Sequence, residues 1–234
     1  RGGMATTLNE LASRGVGVEI VTGDTKVVER GSADRLFITT AGVGLVPAGL
    51  ELGAHRVRAG DGLLLSGTLG DHGMTILAQR EGLRFEGLLA SDCAPLNELV
   101  AGLLAAVPRG AVRWLRDPTR GGLATTLNEL ASRGAGVEIR ERAIPVREPV
   151  RAACELLGLD PLYVANEGKL VAVVAAGAEE TALAALRAHP LGREAACIGR
   201  VSGLGHPGRV VLETALGARR VVTMLAGEQL PRIC

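Results

Sequence analysis

Residues 112–139, VRWLRDPTRGGLATTLNELASRGAGVEI, decide the fold. Val112-Arg113-Trp114-Leu115-Arg116 reads as a strand. Leu123, Leu127 and Leu130 then recur at helical spacing on one face. Gly134 looks like a C-terminal stop, and an extended run follows at Val137. Between the first strand and the helix lies Asp117-Pro118-Thr119-Arg120-Gly121-Gly122. Pro118 suits an early helical position, and Asp117 or Thr119 suits a cap. Outward from this unit the same alternation continues. Strands are expected at Gly62–Gly67, Leu170–Val174, Cys197–Val201, Arg209–Glu213 and Arg219–Met224. Helices are expected from about Met74 to Glu81, from Pro95 to Ala106, and over 148–157 and 178–188. The class is therefore α/β or α+β, with a mixed sheet covered by helices.

Part of this stretch occurs twice. Residues 1–20, RGGMATTLNELASRGVGVEI, match residues 120–139 except at Met4/Leu123 and Val16/Ala135. Two copies make no solenoid, and drifted duplications do not leave one short block so intact, so the reading is a recent local copying or recombination event, or a designed sequence. After the first copy come a turn, Gly23-Asp24-Thr25-Lys26, an extended run at Val27-Val28 and a second run, Leu36 to Ala41. These two runs are expected to pair as a hairpin. Residues 44–60 hold the Gly and Pro of a domain junction.

Composition removes several function classes. The 234 residues are 47% hydrophobic and 22% charged with net charge +1, so nothing points to a nucleic-acid or anionic-membrane surface. One Trp, one Tyr and two Phe leave no base-stacking platform. Cys93, Cys154, Cys197 and Cys234 are scattered without a C-x-x-C, which argues against a zinc site and a disulfide framework. No apolar run is long enough to span a bilayer, and a reducing cytoplasm is the default compartment.

Four segments could carry chemistry, and each has a plain alternative. The glycines of Asp117–Gly122 allow close backbone approach, and free N–H groups at a helix start attract phosphate beside Arg120; read alone, the segment is equally a capped helix. In Gly23-Asp24-Thr25-Lys26 a carboxylate can hold Mg²⁺ and an ammonium can meet phosphate or take a proton; a solvated turn fits as well. In Asn166-Glu167-Gly168-Lys169, a Glu at a sheet entrance can serve as an acid or base. His72, in Gly70-Asp71-His72-Gly73, can polarise a ligand, though a lone His is more often structural. The chain closes on Pro231-Arg232-Ile233-Cys234, which puts a thiol and the α-carboxylate on one residue. Chain ends move unless tied down, and a thiolate is a nucleophile.

Taken in order, GDTKVVERG (23–31), SGTLGDHGMTIL (66–77), SDCAPLNELV (91–100), DPTRGGLATTLNELA (117–131), YVANEGK (163–169) and the terminal PRIC resemble the HypE family of hydrogenase maturation proteins, the carbamoyl dehydratases. That family belongs to the ATP-binding superfamily of aminoimidazole ribonucleotide synthetase and selenophosphate synthetase. The resemblance runs from about Val16 to Cys234 and implies a reaction. A carbamoyltransferase of the HypF type loads a carboxamide onto the terminal thiol. ATP and Mg²⁺ then serve its dehydration to a thiocyanate, whose cyano group passes through a HypC–HypD type assembly to the iron of a [NiFe] hydrogenase. By resemblance Cys234 is the carrier, and Lys26 and Glu167 handle protons. Asp24 binds Mg²⁺. Asp24, Thr25, His72, Asp117, Arg120 and Asn166 surround the nucleotide.

One departure bears on this. The resemblance implies about a hundred more residues ahead of GDTK, a span of ordinary domain size, which carry most of the nucleotide site and the sheet through which such proteins dimerise. Residues 1–47 are then expected to be a remnant of that amino-terminal domain. Residues 48–224 would form a complete carboxy-terminal synthetase-like domain, and 225–234 a flexible tail carrying Cys234. The competing expectations are a non-catalytic scaffold that presents the tail to maturation partners, and a kinase of small phosphorylated metabolites in which Cys234 is dispensable.

Overall fold

The computed structural model describes residues 27–29, 31, 41–83, 89–203 and 208–225. The chain divides into two compact units, Arg1–Leu50 and Glu51–Cys234. In the first unit, Val27 to Glu29 and residues 41–49 are exposed and in neither helix nor strand. The first copy of the repeat and residues 36–40 of the expected hairpin lie outside the described residues, while Val27-Val28, its other run, is not assigned as a strand.

The second unit holds seven strands and five helices among its described residues. In chain order they are β1 (Gly62–Leu65), α1 (Asp71–Glu81), α2 (Asn97–Ala106), β2 (Val112–Arg116), α3 (Gly122–Ala131), β3 (Gly136–Arg140), α4 (Glu148–Leu157), β4 (Val171–Val174), α5 (Glu179–Ala188), β5 (Ala196–Ser202), β6 (Val210–Glu213) and β7 (Arg219–Val222). Every strand and helix expected over residues 62–224 is present, with ends displaced by up to three residues. The strands form one sheet in the order β2-β4-β1-β5-β3-β6-β7. All pairings are antiparallel except β3–β6, which is parallel, so the sheet is mixed.

The central strands explain their sequences. β1 and β4 are buried at every residue, so Gly-Leu-Leu-Leu and Val-Ala-Val-Val run apolar without alternation. On one face, Leu63, Leu65, Val171, Val173, Ile198, Val137 and Leu212 pack with Leu123, Leu127 and Leu130 of α3. On the other face, Leu64, Ala172 and Val174 meet Leu99 and Leu103 of α2 and Ala182 and Leu186 of α5. A third cluster joins α1 and α4 through Met74, Leu77, Val150, Ala153 and Cys154. The edge strand β7 carries the exposed Arg219 and Arg220, charges of the kind that discourage edge-to-edge pairing.

Two local expectations need correction. Neither Asp117 nor Thr119 caps α3: its N-cap is Gly121, in the left-handed region at φ 72°, with no side-chain cap. Gly122, at φ 60°, starts the helix where an added Cβ would lie 2.6 Å from the carbonyl oxygens of Leu162 and Val164. Two glycines are therefore required by backbone geometry, and the capping polar residues sit one turn too early. Pro118 likewise precedes the helix, its carbonyl serving Asn166. A 3-10 turn, Pro161–Tyr163, leads into Val164-Ala165.

Candidate functional site

The site is built around Asn166, which is completely buried. Its Nδ2 donates to the carbonyls of Pro118 (2.9 Å) and Val164 (3.0 Å), and its Oδ1 accepts from the Gly70 N–H (2.8 Å). The Asn166 N–H also reaches the Pro118 carbonyl at 3.2 Å. One amide thus pins the turn before α1, the loop before α3 and its own segment. With both Nδ2 protons donated to backbone carbonyls and its oxygen accepting from Gly70, Asn166 sets geometry for its neighbours.

Next to it, Glu167 reaches a cleft of about 490 Å³ lined by Arg116, Asp117, Thr119, Arg120, Thr126, Glu129 and Glu167. This volume is in the range of small-molecule sites. Residues of two segments expected separately from sequence, Asp117 and Arg120 of one and Glu167 of the other, share this space. Arg116 is already neutralised, with its guanidinium 3.1 Å from Glu129 and 3.8 Å from Asp117. Arg120 is exposed and has no ion-pair partner among the described residues, so it is the cation left over for an anionic ligand. Thr126 turns its hydroxyl to the carbonyls of Gly122 (3.1 Å) and Asp117 (3.4 Å), which holds the loop against α3.

His72 lies apart from this lining. It is nine-tenths buried in the first turn of α1, with Nδ1 2.8 Å from Ser91 Oγ and Nε2 without a partner among the described residues. Beside it Asp71 is buried and compensated, since Thr68 Oγ1 donates to one carboxylate oxygen and Arg147 lies 3.4 Å from the other. Ser91 and Asp92 carry a second set of contacts that the sequence did not expose: Glu167 N–H donates to Asp92 Oδ1 at 3.1 Å, and Lys169 Nζ lies 3.2 Å from Asp92 Oδ2. The only hint in the sequence was the position of Ser91-Asp92-Cys93 among the motifs of the resemblance.

Asp24, Thr25, Lys26 and Cys234 lie outside the described residues. The segment that leads to Cys234 is described as far as Leu225. Asn128 Nδ2 donates to the Val222 carbonyl at 3.0 Å, and Tyr163 O–H donates to the Thr223 carbonyl at 3.1 Å. Arg220 and Asp160 add an ion pair at 2.7 Å. The root of the carboxy-terminal segment is therefore stitched to α3 and to the turn that precedes Asn166-Glu167. Among the described residues no group of three or more His, Cys, Asp or Glu could hold a metal ion, and no helix is long and apolar enough to cross a membrane.

Known proteins resemble this arrangement. The model of the AIR synthase related protein, C-terminal domain, matches residues 58–211. The carbamoyl dehydratase HypE of Azotobacter vinelandii is 62% identical over 224 residues, which is 95% of this chain and 65% of that protein. The chain thus spans just under two thirds of that curated relative. A crystal structure of the hydrogenase maturation protein HypE in complex with ATP superposes with a TM-score of 0.89 at 52% identity, covering 96% of this chain and 68% of that one. The structure of a HypE–HypF complex superposes with a TM-score of 0.87 at 40% identity, over 96% and 74%. With a sheet, a cleft and a buried hub built as described, and identities this high over nearly all its length, the chain belongs to the HypE family of hydrogenase maturation proteins, on the carboxy-terminal domain of the AIR synthase related proteins.

Proposed function

We propose that this chain takes part in the ATP-dependent dehydration of a carboxamide carried on the Cys234 thiol, giving a thiocyanate that supplies cyanide for the iron of a [NiFe] hydrogenase. The observation that carries the reading is the cleft in which Glu167, Arg120 and Asp117 meet; α3, which supplies Thr126 and Glu129 to its lining, also holds the Val222 carbonyl of the segment leading to Cys234 through Asn128. Likeness to a HypE that binds ATP and to one that binds HypF supports the nucleotide and a HypF-type carbamoyltransferase as partner.

The chemistry requires that an amide oxygen leave and that the nitrogen lose two protons. ATP, when bound, supplies the phosphoryl group that makes the oxygen a leaving group, so the products are thiocyanate, ADP and phosphate. The cleft fits an anionic ligand through the uncompensated Arg120. Glu167 accepts an N–H proton from the carboxamide, and a carboxylate in hydrogen-bond reach is the geometry this needs. Lys26 serves as the second proton-handling group, and Asp24 with Thr25 belongs to the nucleotide and Mg²⁺ surroundings. His72, whose Nε2 has no partner among the described residues, belongs to the ligand surroundings. Transfer onward involves a HypC–HypD type assembly, the protein pairs with a second copy, and the setting is cytoplasmic.

The test is mass spectrometry of the tail after incubation with a HypF-type carbamoyltransferase, carbamoyl phosphate and Mg-ATP. The expected product is Cys234 carrying the carboxamide, followed by loss of one water that requires ATP. A tail that is loaded but never loses water would leave the non-catalytic scaffold as the function. Turnover on another substrate in a Cys234→Ser variant would favour a small-metabolite kinase.

A further inference from the structure

We infer that Asp92 is a positioning residue for Glu167, with Lys169 as its counter-charge, so that the Ser91-Asp92-Cys93 turn is the strut that aims Glu167 into the cleft. The inference rests on the reading of Glu167 as proton acceptor.

The first observation is burial. Asp is seldom buried without a partner. Asp92 lies in a segment without helix or strand, between exposed Ser91 and exposed Cys93, yet its side chain is only 3% exposed. Its two oxygens have different tasks. Oδ1 accepts the Glu167 N–H at 3.1 Å. Oδ2 faces Lys169 Nζ at 3.2 Å, off the hydrogen-bond direction, so the attraction there is Coulombic. Lys169 is itself 12% exposed, and its methylenes lie against Gly67.

The second observation is how closely the two loops meet. A Cβ added to Gly168 would lie 1.7 Å from the Asp92 carbonyl oxygen and 3.0 Å from Ala94 N, so only glycine lets the segments touch. Around Glu167 everything but its own side chain is therefore fixed. Asn166 is held by its amide, the Glu167 N–H by Asp92, Gly168 by contact and Lys169 by the ion pair. Ser91 extends the strut to α1, since its Oγ meets His72 Nδ1 at 2.8 Å and accepts the Cys93 N–H at 3.2 Å. A base displaced by about 1 Å can lose on the order of a hundredfold in rate, so this bracing has a catalytic consequence.

Removing one member of a buried ion pair strands the other, which would confuse lost fold with lost aim. Two double variants of the full chain separate these effects. Asp92→Asn with Lys169→Gln removes both charges but keeps an oxygen to accept the Glu167 N–H. Asp92→Ala with Lys169→Met removes both charges and the acceptor. Both are checked for folding by thermal melting, then compared for kcat and KM in ATP-dependent dehydration and for Glu167 amide hydrogen exchange by NMR. The amide pair is expected to keep kcat within about threefold. The apolar pair is expected to lose about ten- to a hundredfold in kcat with KM for ATP unchanged, and to exchange the Glu167 amide at least tenfold faster. Wild-type kcat and exchange in the folded apolar pair would overturn the inference, as would an equal kcat loss in both pairs. If the unaltered protein shows no dehydration, the functional reading fails instead, and amide exchange alone decides the strut: unchanged exchange in the apolar pair refutes it, faster exchange supports it.

Discussion

Replacing Asn166 by Ala is the sharpest perturbation of this molecule. The side chain makes three hydrogen bonds from a completely buried position, to the carbonyls of Pro118 and Val164 and from the Gly70 N–H. Ala leaves the Gly70 N–H and the Val164 carbonyl without this partner in a dry site, whereas the Pro118 carbonyl keeps the Asn166 N–H. A buried group left unsatisfied costs about 1–3 kcal/mol, so the loss comes to about 4 kcal/mol. For a chain of this size that corresponds to a fall in Tm of about 8–16 °C. Asn166→Asp should do worse at neutral pH. Its carboxylate can only accept, yet it would face two carbonyl oxygens, and acidification should restore part of the loss by adding a proton that can be donated. Urea and thermal melts of the three proteins measure both effects. A loss below about 1 kcal/mol for Asn166→Ala, or an Asp variant as stable as the original, would refute the idea that this amide holds three segments together.

Further outcomes follow from single contacts. Gly168→Ala must push the Asp92 loop away, because the new Cβ would overlap the Asp92 carbonyl; a stability loss above about 2 kcal/mol in urea melts is expected, with Ala at exposed Gly102, inside α2 with open space around it, much milder. Leu127→Ala, at a fully buried position of α3, should cost about 2–5 kcal/mol by the same assay. Burial first, then the charges of Asp160 and Glu155, raise the Cys154 thiol to about 11, so at pH 8 iodoacetamide should label exposed Cys93 and spare Cys154 in the native protein, as peptide mapping would show. Because the folded state holds this proton more tightly than the unfolded chain, that stabilisation is complete below the unfolded thiol's titration and is lost as pH rises through it toward about 11; melts between pH 8 and 11 should show the decline. Asn128→Ala should cost about 1 kcal/mol and speed hydrogen exchange in β7, whose end it holds through the Val222 carbonyl.

The elements were legible because local chemistry dictates them. A run such as Leu170–Val174 admits one reading once it is bounded by charged turns, and α3 shows its apolar face in three leucines that are all buried. Sheet order was not legible, since periodicity says which face is apolar but not which strand is the neighbour. The site divides along the same line. Asp117, Arg120 and Glu167 could be named from residue type and resemblance, because a charged residue beside a glycine-rich turn carries its chemistry with it. Asn166 and Asp92 could not be weighed, because their partners stand 48, 75, 77 and 96 positions away. In sequence each looks like a solvated turn residue, and only long-range burial turns it into a hub or a strut.

The duplicated block carries the same argument further. Residues 120–139 suit their place for reasons that lie elsewhere in the chain. Gly122 fits under the carbonyls of Leu162 and Val164, Leu123 to Leu130 pack on strands between residues 62 and 222, and Asn128 reaches the Val222 carbonyl. Residues 1–20 repeat the letters, including glycines at 2 and 3 and Asn9, but lie outside the described residues. Helix propensity is nearly the same in both copies, and a helix of this length is marginal in water without a packed face. The place of residues 120–139 in the fold is thus set by partners far from them in the chain, and the repeated letters alone do not specify it.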